Sequence, residues 1–180
     1  MSTSSEPFNV LTDLARRSRA AARGLPAQVN ITPHWSGIGF NLLGMRMVAP
    51  MGEVVEMLKT PSYTRLPGVH SWVAGVANVR GRLLPLFDLE AFFGGVLSGA
   101  RMRHRVLALE MGELFSGLLV NEVYGMQHFP IDTFTHGVPS RAQALSPYLA
   151  GSYVQTDMTW IVFSPFKLAR DPRFFNAAAA

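Results

Sequence analysis

The stretch "GVANVRGRLLPLFDLEAFFGG", residues 75–95, decides how the rest of the chain is read. Two apolar runs, "GVANV" and "RLLPLFDL", meet at Arg80-Gly81. A two-residue break between strand-like runs is the mark of a tight β-hairpin, and Gly81 supplies the backbone freedom that such a turn needs. The turn itself favours Asn-Gly or Asp-Gly, so nothing local calls for an arginine. The guanidinium of Arg80 is therefore expected to serve something beyond the turn. Just downstream, Asp88 is placed to cap a brief helix through Phe93, closed by Gly94 and Gly95. That structural role is preferred to one as a catalytic carboxylate.

Outward from this hairpin, the chain from Trp35 onward reads as short strands at the spacing of an all-β fold. The segments are "GIGFNLLG", "MRMVAPMGEVVEML", "SWVAGVANV", "RLLPLFDL", "RVLALEM", "LFSGLLVNEVYGM", "GSYVQTD" and "MTWIVFSPF", several of them bent or divided. Gly44, Gly81, Gly112 and Asp157 stand at their joints, and the short connections predict mostly antiparallel neighbours. Pro130 to Pro147 reads as a long connection. "PFKLARDPRFFNAAAA" predicts a short C-terminal helix and a loose tail. Two hairpin-rich halves flank "FFGGVLSGARM", which suits two small barrels packed together.

Before Trp35 the pattern differs. Asn9 to Arg23 reads as an amphipathic helix with Val10, Leu11 and Leu14 on one side and arginines on the other. Gly24, Pro26 and Pro33 then break it. The organisation expected is a helical arm and linker over residues 1–34, a main domain over 35–170 and a tail over 171–180.

The 180 residues are enough for one domain, or for two small halves sharing a core. Cysteine is absent, so disulfides and cysteine-ligated metals are excluded. No apolar run follows Arg16 and Arg17 as an export signal requires, and none approaches the length of a membrane span. A soluble, cytoplasmic protein is expected. The net charge of +4 and a pI near 10.0 raise nucleic acid as a partner. Arginines cluster at 16, 17, 19 and 23 and again at 101, 103 and 105, but no aromatic platform interleaves with them. A nucleic-acid-binding β-barrel stands as the alternative reading; no nucleic acid is expected under the leading one.

Motifs for catalysis are missing. His34, His70, His104, His128 and His136 are scattered without metal-ligand spacing. No serine sits in a G-x-S-x-G elbow, and "GIGFNL" lacks the third glycine and the helix of a dinucleotide fingerprint. Glu53, Glu56, Glu110, Glu113 and Glu122 read as solvated strand edges. No enzyme activity, cofactor or metal is expected.

Taken together, "GEVVEML", "PGVHSWVAGVANVRGRLLPLFDLEAFFG" and "GLLVNEVYGM" resemble the CheW-like family of bacterial chemosensory adaptors, with "YLAG" matching its late motif. The matching positions include Val54, Glu56, Pro67, Gly75, Asn78, Arg80, Gly81, Pro85, Asp88, Leu89, Gly94, Gly117, Val120, Val123, Tyr148, Leu149 and Gly151. The resemblance spans roughly Trp35 to Ala169, and the arginine-rich arm looks most like the branch serving type IV pilus twitching motility. Departures are Asn121, where the family usually has aspartate, "NVRG" for the commoner "NLRG", and Met47 and Ala49 in the first strand pair.

The resemblance implies an all-β protein of two five-stranded SH3-like β-barrel subdomains, related by pseudo-symmetry and joined by a shared core. It also implies a scaffold without catalysis, recruited to receptor arrays at the inner membrane. One face would bind the regulatory domain of a CheA-like histidine kinase, and a groove would take the cytoplasmic tip of a chemoreceptor. Val54 and Glu56, two apart in a strand, would share a partner-binding face, and Val73 and Val76 would extend an apolar groove. Arg80, carried by Gly81, would offer its planar donor head to the partner, or else bridge the two halves internally. The arm would dock on the barrel, meet an acidic kinase segment or lie on a membrane surface, the first two being preferred.

Overall fold

The computed structural model describes residues 6–21, 33–112, 114–155 and 157–179. It divides into two units, the first ending at Ile31 and the second starting at Thr32. In the first, helix α1 (Glu6–Ala21) leaves Phe8, Val10, Leu11 and Leu14 exposed. Asp13 holds Arg16 at 2.8 Å and Arg17 at 2.7 Å, the one-turn pairing that supports a solvated helix. Arg23 and the expected breaks at Gly24 and Pro26 lie outside the described residues.

In the second unit, strands β1 (His34–Leu42), β2 (Met45–Pro50), β9 (Val123–Pro130), β10 (Phe134–Thr135), β11 (Leu149–Gln155) and β12 (Met158–Phe163) form one sheet, in the order β10-β11-β12-β2-β1-β9. Strands β3 (Glu56–Lys59), β4 (Tyr63–Thr64), β5 (Val73–Val79), β6 (Arg82–Asp88), β7 (Arg105–Met111) and β8 (Leu114–Val120) form the other, in the order β3-β7-β8-β6-β5-β4. Written from opposite ends the orders correspond strand for strand, including one parallel pair in each, β12 with β2 and β6 with β8. The family resemblance implies five strands per barrel; the sixth in each sheet is a two-residue strand, too short for any periodicity to register.

Both sheets curl. Phe129 of β9 stacks on Tyr153 of β11 at 4.7 Å, although these strands stand sixth and second in their sheet. In the second sheet, Arg80 of the β5–β6 turn reaches Glu56 on that same sheet's first strand, β3. Such contacts require each sheet to close on itself as a small barrel, the architecture that hides most strand edges.

Three apolar clusters follow. Val48, Phe129, Tyr153, Trp160 and Val162 fill the first barrel, and Ala77, Leu84, Leu86, Val106 and Leu119 fill the second. The third, with Phe40, Met47, Leu107, Leu118, Ile161 and Phe163, lies between them. Adjacent residues divide between clusters: Val106 points into its barrel and Leu107 into the shared core, as do Val162 and Ile161. A strand buried on both faces loses polar alternation and reads as a continuous apolar run.

The pseudo-symmetry extends to backbone detail. Gly75 and Gly151 have φ of +144° and +148°, each beside a shift in strand register. A Cβ at Gly75 would lie 2.1 Å from the Thr64 carbonyl oxygen, and one at Gly151 2.4 Å from that of Thr135. Each glycine thus admits the short edge strand of its own sheet.

Two long segments divide differently from the sequence reading. Residues 45–58 supply β2 to the first sheet and β3 to the second, and 114–126 supply β8 to the second and β9 to the first. Asp88 caps as expected, its Oδ1 accepting from the Ala91 N–H at 2.9 Å, and helix α2 (Leu89–Phe92) follows. The connection after Pro130 is structured, ending in a 3-10 stretch (Ser140–Tyr148) that buries Ala142, Leu145 and Tyr148. Two short helices, α3 (Pro165–Ala169) and α4 (Pro172–Phe175), take the place of the single one predicted. The tail described as loose is pinned: the His70 N–H donates to the Ala177 carbonyl and the Ala179 N–H to that of Gly68, both at 3.0 Å.

Candidate functional site

The turn joining β5 to β6 has φ of +53° at Arg80 and +80° at Gly81, the two left-handed residues of a type I′ hairpin. Asn78 completes it, its Oδ1 accepting from the Gly81 N–H at 2.9 Å. A left-handed arginine costs about 1 kcal/mol relative to its relaxed backbone. Arg80 Nη2 donates to Glu56 Oε1 at 2.5 Å, yet the arginine side chain remains 76% exposed. An exposed pair of this kind contributes only about 0–1 kcal/mol, so stability alone does not account for the residue.

Beside it stands a second pair. Arg82 Nη2 donates to Glu110 Oε1 at 3.1 Å, and its guanidinium lies 4.0 Å from the ring centre of Phe115, the cross-strand neighbour of Glu110. Between the two pairs Val55, Val79, Ala108 and Phe115 line a shallow hollow of about 150 Å³. Val55 and Leu83 are exposed. The arrangement offers a curved apolar patch rimmed by two cations and two anions, all on the second barrel. It suits a protein surface of complementary pattern better than a small molecule.

Of the six residues singled out from the sequence, Arg80, Gly81 and Glu56 come together at this mouth of the barrel. Val76 is half-buried on the outer side of the hairpin, opposite Pro85. Val54 and Val73 are buried, Val54 in the core between the barrels. Val54 and Glu56 do not share a strand face, because β3 begins only at Glu56 and the chain crosses between sheets just before it. Val55, Leu83, Arg82, Glu110 and Phe115 were not singled out. The alternation in "RLLPLF", with Leu84 and Leu86 inward, carries the signal that places Leu83 outside. Arg80 pairs within one barrel, so the expectation of a bridge between halves meets a contact of a different kind.

The two crossings between sheets are secured by buried polar groups. At the first, Glu53 accepts from Ser164 Oγ at 2.6 Å and from the Phe166 N–H at 2.8 Å, anchoring the start of α3. Glu53 is thus a half-buried anchor rather than a solvated edge. At the second, Asn121 Nδ2 donates to Glu90 Oε1 at 2.7 Å while its Oδ1 accepts from the Ser98 N–H at 2.7 Å. Glu90 also accepts from the Leu43 N–H at 2.8 Å, and burial pushes its carboxyl above the usual range. An amide at position 121 supplies the donor that this carboxylate needs; an aspartate there would face it with a second negative charge.

Two pseudo-symmetric curled sheets, a core between them and a hairpin carrying Asn78-Val79-Arg80-Gly81 define a class, and comparison bears it out. The description "CheW-like domain" matches residues 36–173, and the chain belongs to that family. Within it, the chain is 51% identical over 178 residues to the protein PilI of Pseudomonas aeruginosa, covering 99% of both. It is 28% identical over 115 residues to the chemotaxis protein CheW of Helicobacter pylori, spanning 64% of this chain and 69% of that one. To the protein FrzA of Myxococcus xanthus the figures are 29% over 112 residues, 62% and 69%. The scaffolding protein TtCheW of Thermoanaerobacter tengcongensis shares the fold, with a TM-score of 0.64 at 21% identity over 73% of this chain and 89% of that one. Among the described residues no helix is long and apolar enough to cross a membrane.

Proposed function

We propose that this protein is a non-catalytic adaptor coupling the cytoplasmic tip of a chemoreceptor to the regulatory domain of a CheA-like histidine kinase, in the chemosensory system that controls type IV pilus twitching motility. The observation that carries this reading is the hairpin mouth of the second barrel. There a strained, exposed Arg80 is oriented by Glu56 beside Val55, with little return in stability. A guanidinium pre-oriented by one carboxylate retains free donors for a second acceptor on a partner. The likeness to PilI over nearly the whole chain directs the reading to the pilus branch. Val76 extends such a face along the hairpin, while Val54 and Val73 are buried away from it. The array at the inner membrane is reached through the receptor, without a lipid contact of the adaptor's own.

The test is capture of the purified protein by the kinase regulatory domain and by the receptor tip of the same organism, with Arg80→Ala and Glu56→Ala alongside. Binding by the unmodified protein, weakened in either folded variant, is the expected result. Failure of the unmodified protein to bind either partner would overturn the adaptor reading. Nucleic acid as the partner would instead appear as affinity falling steeply with ionic strength.

A further inference from the structure

The second barrel has two open mouths, and they differ in how charge is balanced. At the hairpin mouth each arginine has its glutamate. At the opposite mouth a cavity of about 580 Å³ is floored by Tyr63, Val73, Ala74, Leu97 and Leu119. Its rim carries Arg65, His70, Arg101 and His104, and neither arginine has an ion pair among the described residues. Asp88 is the cavity's one acid; its Oδ1 is engaged as the cap of α2, and burial raises its carboxyl above the usual range.

The lining also points to a ligand. Thr60, Arg101 and His104 line both this cavity and an adjoining hollow of about 500 Å³ that adds Lys59 and Arg105. Arg101 also lies over the Tyr63 ring at 5.8 Å, so a flat apolar surface and a cation stand side by side. The wall is fixed, because the 68–70 segment that bears His70 is tied down by the C-terminal residues 177–179. The volume falls in the range of small-molecule sites, which are characteristically apolar hollows with a few placed polar groups.

We propose that this mouth is a binding site for a small organic anion, a phosphorylated molecule whose flat or apolar part rests on Tyr63 and the barrel floor. Arg65 and Arg101 bind its charge with paired donors. The site lies at the end of the barrel away from the hairpin and stands independently of the adaptor reading.

The experiment is a titration of the full-length protein with AMP as probe, followed by the imidazole proton signals of His70 and His104. Adenosine and inorganic phosphate are run in parallel. Saturable shifts of both histidines by AMP are expected, with adenosine and phosphate each binding at least tenfold more weakly. Arg65→Ala combined with Arg101→Ala should weaken AMP at least tenfold and leave the thermal transition unchanged, since both side chains are exposed. Three results would overturn the proposal: no saturable shift with AMP, equal affinity for phosphate alone (an adventitious ion only), or shifts produced by oligonucleotide but not by AMP.

Discussion

Substituting asparagine for Arg80 separates a structural from a partner-binding role. Asparagine tolerates the left-handed backbone that holds position 80 at φ +53°, so the change relieves about 1 kcal/mol of strain. It also removes the Arg80–Glu56 pair, whose arginine is 76% exposed and whose glutamate is 34% exposed. Such pairs contribute about 0–1 kcal/mol, so the net effect on stability is near zero, within about 1 kcal/mol. For a unit of this size that is a change in Tm of no more than about 4 °C. Affinity should respond quite differently. Loss of a charge-assisted hydrogen bond enclosed by an interface costs about 2 kcal/mol or more, a weakening of about 30-fold. The paired measurements are thermal unfolding of the variant and calorimetric titration with the regulatory domain of the CheA-like kinase. A fall in Tm beyond about 8 °C with undiminished affinity would refute the reasoning and return Arg80 to a purely internal role.

Other perturbations test the fold around the site. Gly75→Ala and Gly151→Ala should each destabilise by about 3 kcal/mol or more in urea unfolding, because both force a methyl group onto a carbonyl oxygen at positive φ. Gly81→Ala, where nothing lies within 4 Å, should cost only about 1 kcal/mol; equal losses at all three would contradict the pseudo-symmetric role of the first two. The Glu90–Asn121 contact predicts a pH dependence. Burial raises the Glu90 carboxyl above its ordinary 4.5, so the stability its protonated form contributes is complete below 4.5 and is lost as pH rises through the raised value. Glu90→Gln should therefore gain stability relative to the parent as pH rises through that window. Asn121→Asp should lose about 3 kcal/mol at neutral pH and recover towards acid, as one of two facing carboxyls is protonated; parallel stability curves for parent and variants would dismiss the contact.

What the sequence by itself determined is local. The two-residue break at Arg80-Gly81, the cap at Asp88 and the helical period of the arm are set by neighbours within a few residues, and each appears where the pattern places it. The motifs around Asn78–Gly81 and Asp88–Gly94 were also enough to point to the family. Tertiary structure decided what periodicity does not encode. An apolar run states that side chains are buried, not which core receives them, so the pattern in 45–58 and 114–126 allows a bent or divided strand but does not show that each serves both sheets. That crossing shifts the phase of alternation and sends Val54 inward while Val55 faces solvent. Arg80 finds Glu56, 24 residues away, only because the second sheet curls until its first strand meets its hairpin. Asn121 is explained in the same way, by a buried carboxylate 31 residues distant that needs a donor. Hydrogen-bond partners and charges brought together by closure of a sheet depend on the whole chain, and no window of sequence contains them.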